Sequence, residues 1–255
     1  MPSVVAKMSD ILSMKIVEKY KPVLIGVFDD SEEGAVSTMV KEVLEKKYEV
    51  RLSERISDPD KEIPYAVIGA DAALSKGANV VMKGIGLAVR KDSSYPNVVI
   101  FRIDAKKAGD MKKLIGKLKL DIAVFASGET CRTKESGGRN SKRAVGEKSI
   151  LFRSLRKKDC AIFCADNETI KAIAAKSRCS KITFGYGEDA KVKGKIFYGE
   201  EGSGTSFKIS YRGTIVPFHF SSKTSEKEVC AALAAVAVGI HMGLNLVEIS
   251  EALRR

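Results

Sequence analysis

The residues that could do chemistry are few and scattered. An apolar run at residues 23–28 ends in Asp29, Asp30, Glu32 and Glu33, after which Gly34, Ser37 and Thr38 open a helical pattern. A strand, loop and helix in this order can hold phosphates when the loop supplies glycine amides, a lysine and a hydroxyl for Mg²⁺. Here no Lys or Arg occurs between Pro22 and Val40. Two unit charges 4 Å apart interact by about 4 kcal/mol at an effective dielectric near 20, so four carboxylates in the loop would repel a triphosphate. Ser37 or Thr38 could serve a metal, but Ser, Thr and acidic residues are also what an ordinary helix N-terminus favours. The glycine-rich 199–206 segment precedes a strand pattern instead of a helix, so it reads as a turn.

The other nucleophiles and ligands are equally sparse. Five cysteines (Cys131, Cys160, Cys164, Cys179, Cys230) include no C-x-x-C pair, and His219 and His241 are the only histidines. Neither a metal site nor a disulfide framework is expected. Cys160 and Cys164 lie in an apolar run and read as small core residues. The charge is uneven: residues 131–158 hold ten Lys/Arg against Glu135 and Glu147, two thirds of the net +12. Such a segment suits an anionic ligand, a nucleotide or an acidic protein. The chain lacks Trp and any RNA-binding signature, which disfavours nucleic acid.

These residues need elements to position them. With 255 residues, 44% of them hydrophobic, the chain can bury a sizeable core. Short apolar runs at 23–28, 65–68, 97–103, 121–126 and 159–164 read as strands, and helical patterns at 35–47, 107–118 and 143–155 lie between them. This alternation predicts an α/β fold: a mostly parallel sheet flanked by helices. After residue 183 the pattern changes. SFKISY and TIVPFHF flank Arg212-Gly213 as a small antiparallel hairpin, an Ala-rich helix follows over 226–242, and Asn245 with Glu248 forms a capping box for a last helix. The expected organisation is one domain over 1–255: an N-terminal helix or linker (1–20), a parallel α/β core (21–182), a hairpin subregion (183–225) and C-terminal helices (226–255). The longest strongly apolar stretch, 229–240, is far shorter than the roughly 20 residues of a membrane span. The N-terminus lacks a secretory pattern, so a cytoplasmic location is expected.

Taken in order, several segments resemble the central, ATP-binding domain of the Mur peptide ligases, and within that family the branch that adds D-alanyl-D-alanine. ITFGYG, a hairpin and CAALAAVAVGIHMGLNLVEI follow one another as a TFG strand end, a hairpin and an N-A-L-A-A helix do in the family. FCADN resembles its N-A-D-N strand end, with Asp166 and Asn167 matching beside the nucleotide and Cys164 replacing the Asn. Gly109 and Asp110 keep step with a glycine-rich segment, and Gly86 with a later loop. Lys148, sixteen residues before Cys164, stands where the family places a carbamylated lysine. Gly34, Ser37 and Thr38 are the remaining nucleotide-site equivalents. The resemblance covers roughly residues 16–253.

The departures share one direction. The phosphate loop has become acidic at Asp29, Asp30, Glu32 and Glu33, with four residues inserted. Arg102 stands where the resemblance implies a metal-binding Glu, Lys134 where it implies a His, and Lys106 and Lys107 at an N-H pair. Lys227 and Glu228 replace an H-N pair before the Ala-rich helix. The expectation is an internal ion-pair network between the two groups and a degenerate P-loop that holds no cofactor. The function expected is a non-catalytic binding or scaffold module, with a cell-wall ligase or other protein as partner. The alternatives are an ATP- and Mg²⁺-dependent acid–amino acid ligase of cell-wall biosynthesis working with other subunits, or an anion binder acting through 131–158.

Overall fold

A computed structural model describes residues 4–29, 34–70, 77–104, 109–126, 139–197 and 204–254. Nine strands form one sheet: β1 (Val23–Asp29), β2 (Val50–Ile56), β3 (Val98–Ile103), β4 (Ile122–Ala126), β5 (Cys160–Cys164), β6 (Ser180–Gly185), β7 (Val192–Phe197), β8 (Thr205–Tyr211) and β9 (Thr214–Phe220). Their order is β2-β3-β1-β4-β5-β6-β7-β8-β9. Pairing is parallel from β2 through β7 and antiparallel for β7–β8 and β8–β9. The α/β class and the C-terminal antiparallel element are as expected from the sequence, with β7 as an additional strand that turns the hairpin into a three-stranded unit.

Period-two alternation sends the central strands to two cores. Ile25, Val27, Val98 and Ile100 join α2 (Ala35–Leu44), α8 (Glu226–His241) and α9 (Leu246–Ala252) on one face. Leu24, Phe28, Val99, Phe101 and Ile103 face the other core, built with α1 (Val4–Tyr20), α3 (Pro59–Ile68), α4 (Gly77–Val89), α5 (Asp110–Lys117), α6 (Arg139–Ser154) and α7 (Glu168–Ala175). Helix α8 is buried from Val229 to Gly239. Its alanines and glycine let α2 approach closely: a Cβ added to Gly239 would lie 2.7 Å from Val43 Cγ1.

Local signals explain most ends. Ser225 and Asn245 each form a reciprocal capping box with Glu228 and Glu248. Arg212 (φ 48°) and Gly213 (φ 83°) take the two left-handed positions of the tight β8–β9 turn. Three expectations are corrected. Residues 65–68 belong to helix α3, because Asp58 caps it through the Asp60 amide and Pro59 fits its first turn. Gly86 lies within helix α4, not in a loop. Cys230 is disulfide-bonded, although Cys160, Cys164 and Cys179 are free and buried.

Two buried acids tie the packing to alkaline pH. Burial pushes the Cys164 thiol up to about 12 from 9.0, and the Tyr95 phenol up to about 12 from 10.0 against the opposing pull of Arg51. Tyr95 Oη donates to the Val67 carbonyl at 2.8 Å. Both groups keep their protons longer when folded, so their contribution is whole below pH 9 and is lost as pH rises toward 12. Denaturation midpoints should therefore hold from pH 8 to pH 9 and fall from there to pH 11, and Tyr95→Phe should flatten part of that fall.

Candidate functional site

In an open α/β sheet, ligands bind outside the carboxyl ends of the strands where the strand order reverses. Here β1 has β3 on one side and β4 on the other, and α2 begins beyond its carboxyl end. That junction is the candidate site. Residues 30–33 lie outside the described residues, as do Lys106, Lys107 and Lys134, so the expected ion pairs with Asp30, Glu32 and Glu33 are not described. Asp29 ends β1, beside Ala126 of β4.

Gly34 begins α2 in a left-handed conformation, φ 66° and ψ 36°. Its carbonyl accepts the Ser37 hydroxyl at 2.8 Å and the Thr38 amide at 3.0 Å. Ser37 is completely buried, so its hydroxyl serves the first turn of the helix. Arg102 pairs with Val27 on β3, and the alternation that sends Val98 and Ile100 toward α2 carries its side chain the same way. The guanidinium arrives directly against Gly34: an added Cβ there would lie 2.5 Å from Arg102 Cζ and 2.6 Å from Nε. The Arg102 amide donates to Ser53 Oγ at 3.1 Å, and the neighbouring strand end is crossed by the Arg55–Asp104 ion pair at 2.6 Å.

A helix N-terminus that follows a glycine loop presents amides and partial positive charge to an anion. A divalent ion beside it needs anionic or neutral oxygens. Arg102 supplies a fixed cation at the position the resemblance gives to a metal-binding carboxylate. A cation there disfavours a divalent ion beside it and favours an anion. Among the described residues no three His, Cys, Asp or Glu side chains converge as a metal site.

The other matched residues serve the backbone. Asp166 lies beyond β5, and its two carboxylate oxygens accept the amides of Tyr186 at 2.7 Å and Gly187 at 2.8 Å. A Cβ on Gly185 or Gly187 would come within 2.6 Å of that carboxylate, which is why both positions are glycine. Asn167 caps α7 by accepting the Ile170 amide at 3.0 Å. Lys148 is half-buried on α6. Its neighbour Glu147, not singled out from the sequence, accepts the amides of Gly109 and Met111 at 3.0 and 3.1 Å and so holds the positive end of α5. No local motif announces a cap supplied from 36 residues away. Glu228 is in the α8 capping box, and Lys171 bridges Glu168 and Asp189. Burial lowers the His241 pKa at the end of α8. His219 lies on β9 beside Ser206, 3.1 Å from its hydroxyl.

The architecture defines an α/β domain whose mostly parallel sheet is flanked by helices and ends in antiparallel strands. The family model described as Mur ligase middle domain matches residues 96–239, more than half of the chain, and the chain belongs to that family. Among solved structures, MurF from Acinetobacter baumannii matches with a TM-score of 0.71 at 16% identity, covering 100% of this chain and 50% of that one. MurF ligase from Thermotoga maritima, solved in complex with ADP, matches with a TM-score of 0.72 at 14% identity, covering 98% and 52%. The UDP-N-acetylmuramate:L-alanyl-gamma-D-glutamyl-meso-diaminopimelate ligase from Neisseria meningitides matches with a TM-score of 0.60 at 13% identity, covering 96% of this chain and 68% of that one. The chain spans about half the length of the MurF chains. No curated protein sequence matches it.

Two outcomes check the geometry. Gly34→Ala should destabilise the protein by more than 1 kcal/mol, combining left-handed strain with the Arg102 clash, and in an Arg102→Ala background only the strain should remain, a coupling of about 1 kcal/mol in denaturant titrations. Asp166→Ala strands two amides and should cost about 1–3 kcal/mol by the same measurement.

Proposed function

We propose that this chain is a non-catalytic member of the Mur ligase fold, a binding or scaffold module that works in the cytoplasm beside a cell-wall ligase or another protein. The contact of the Arg102 guanidinium with Gly34 carries this reading. Amide ligation through an acyl phosphate relies on positioning and on neutralising the charge of the transferring phosphoryl group by a metal and cations around it. At this junction the loop brings carboxylates in place of lysine. The strand brings an arginine in place of a carboxylate. The charges are reversed together, so the cleft keeps its shape through its own side chains and has no seat for Mg²⁺.

The alternative is an ATP-dependent ligase completed by other subunits. Calorimetric titration of the chain with ATP and Mg²⁺, alongside an assay for phosphate release, separates the two. The proposal expects neither magnesium-dependent heat nor ATP turnover at millimolar nucleotide. Saturable magnesium-dependent binding, or phosphate release stimulated by an added ligase substrate, would establish the alternative.

A further inference from the structure

Most of the large exposed hydrophobics among the described residues lie on two helices. Seven of the ten lie on α1 and α4 and are between 39% and 76% exposed. On α1 they are Val4, Met8, Ile11 and Met14, spaced by four, three and three residues, a stripe along one helical face. Ser9, Ser13 and Ile16 are the buried residues on the other side of that helix. On α4 the stripe is Met82, Ile85 and Val89.

The two helices run parallel. Gly77 meets Val5 and Gly84 meets Leu12, the same seven-residue step on each, with an added Cβ lying 2.7 and 3.0 Å from the facing side chains. Lys19 at the end of α1 fixes the register by donating to the carbonyls of Leu87, Ala88 and Arg90 at 2.9, 3.1 and 2.8 Å. Helix α1 packs on α3 and α4, leaving both stripes outward. Met8 and Ile85, the least exposed at 40% and 39%, belong one to each stripe. Gly86, between the α4 stripe residues, has open space where a side chain would stand, a notch that admits a side chain from outside.

We infer that this two-helix face is an interface between two copies of the chain, α1 and α4 of one packing on α1 and α4 of the other as a four-helix layer. The area favours a second copy. The seven side chains leave on the order of 700 Å² accessible, above the few hundred Å² of an ordinary monomer patch. Two such faces would bury on the order of 1,400 Å², within the range of a standard specific interface. A two-helix layer is half of a helix bundle, and an identical copy supplies the matching half by two-fold symmetry. The stripes carry no Trp, Tyr or Phe, the residues that anchor a helix at a membrane interface, while Lys7, Lys15 and Glu18 are exposed among the apolar residues of the α1 stripe and Lys83 beside that of α4. With +12 on each copy, long-range repulsion opposes pairing and is screened over about 8 Å at physiological salt. Association should therefore strengthen as salt rises, the reverse of binding to an anionic partner.

Sedimentation equilibrium of the full 255-residue chain, in low and physiological salt, tests this directly, with Ile11→Glu and Val89→Glu as exposed variants whose folding is checked by circular dichroism. The expected result is twice the 27.7 kDa chain mass, tighter association at the higher salt, and a folded monomer for each variant. A wild-type monomer up to about 100 µM, or a dimer that survives both variants, overturns the inference. So does a wild-type monomer that sediments with phosphatidylglycerol vesicles and loses them on either substitution, which would make the same face a membrane-docking surface.

Discussion

A guanidinium packed against the N-cap glycine of a helix is the contact on which the proposed function depends. The N-cap of α2 is a glycine because the backbone there is left-handed and Arg102 occupies the space of a side chain. The constraint is mutual. Arg102 reaches that point because it continues the alternation of Val98 and Ile100 toward α2, and the helix accepts it because nothing projects from Gly34.

The rest of the carboxyl edge is organised in the same inward way. Asp166 spends both oxygens on the amides of Tyr186 and Gly187, Asn167 caps α7, and Glu147 holds the start of α5. These carboxylates and the amide satisfy backbone groups of neighbouring segments. Buried polar atoms require such partners, and a network that closes on itself holds its loops in place with no ligand bound. The chain shares its overall fold with the MurF structures at 14–16% identity.

Much of the fold was legible because its signals are local. Apolar runs marked β1, β3, β4 and β5, and the capping residues Ser225 and Asn245 marked α8 and α9. Strand β2 escaped because VRLSERI interrupts its apolar residues with charge, as edge strands do to discourage pairing. The 65–68 run was misread because four apolar residues cannot distinguish a strand from the buried side of a short helix. At the site, Arg102 could be named from its place in the order of segments, but its contact with Gly34 joins residues 68 positions apart and has no sequence pattern. The Glu147 cap was hidden for the same reason: it depends on which distant backbone the fold brings near.

The most direct measurement is amide nuclear magnetic resonance of the isotope-labelled chain during titration with ATP and magnesium, following the resonances of Gly34, Ser37 and Thr38 and the Arg102 side-chain Nε. With the junction filled by its own guanidinium, these resonances should stay in place through millimolar nucleotide. Saturable, magnesium-dependent shifts concentrated on the first turn of α2 would show that the junction still receives a triphosphate and would contradict the account.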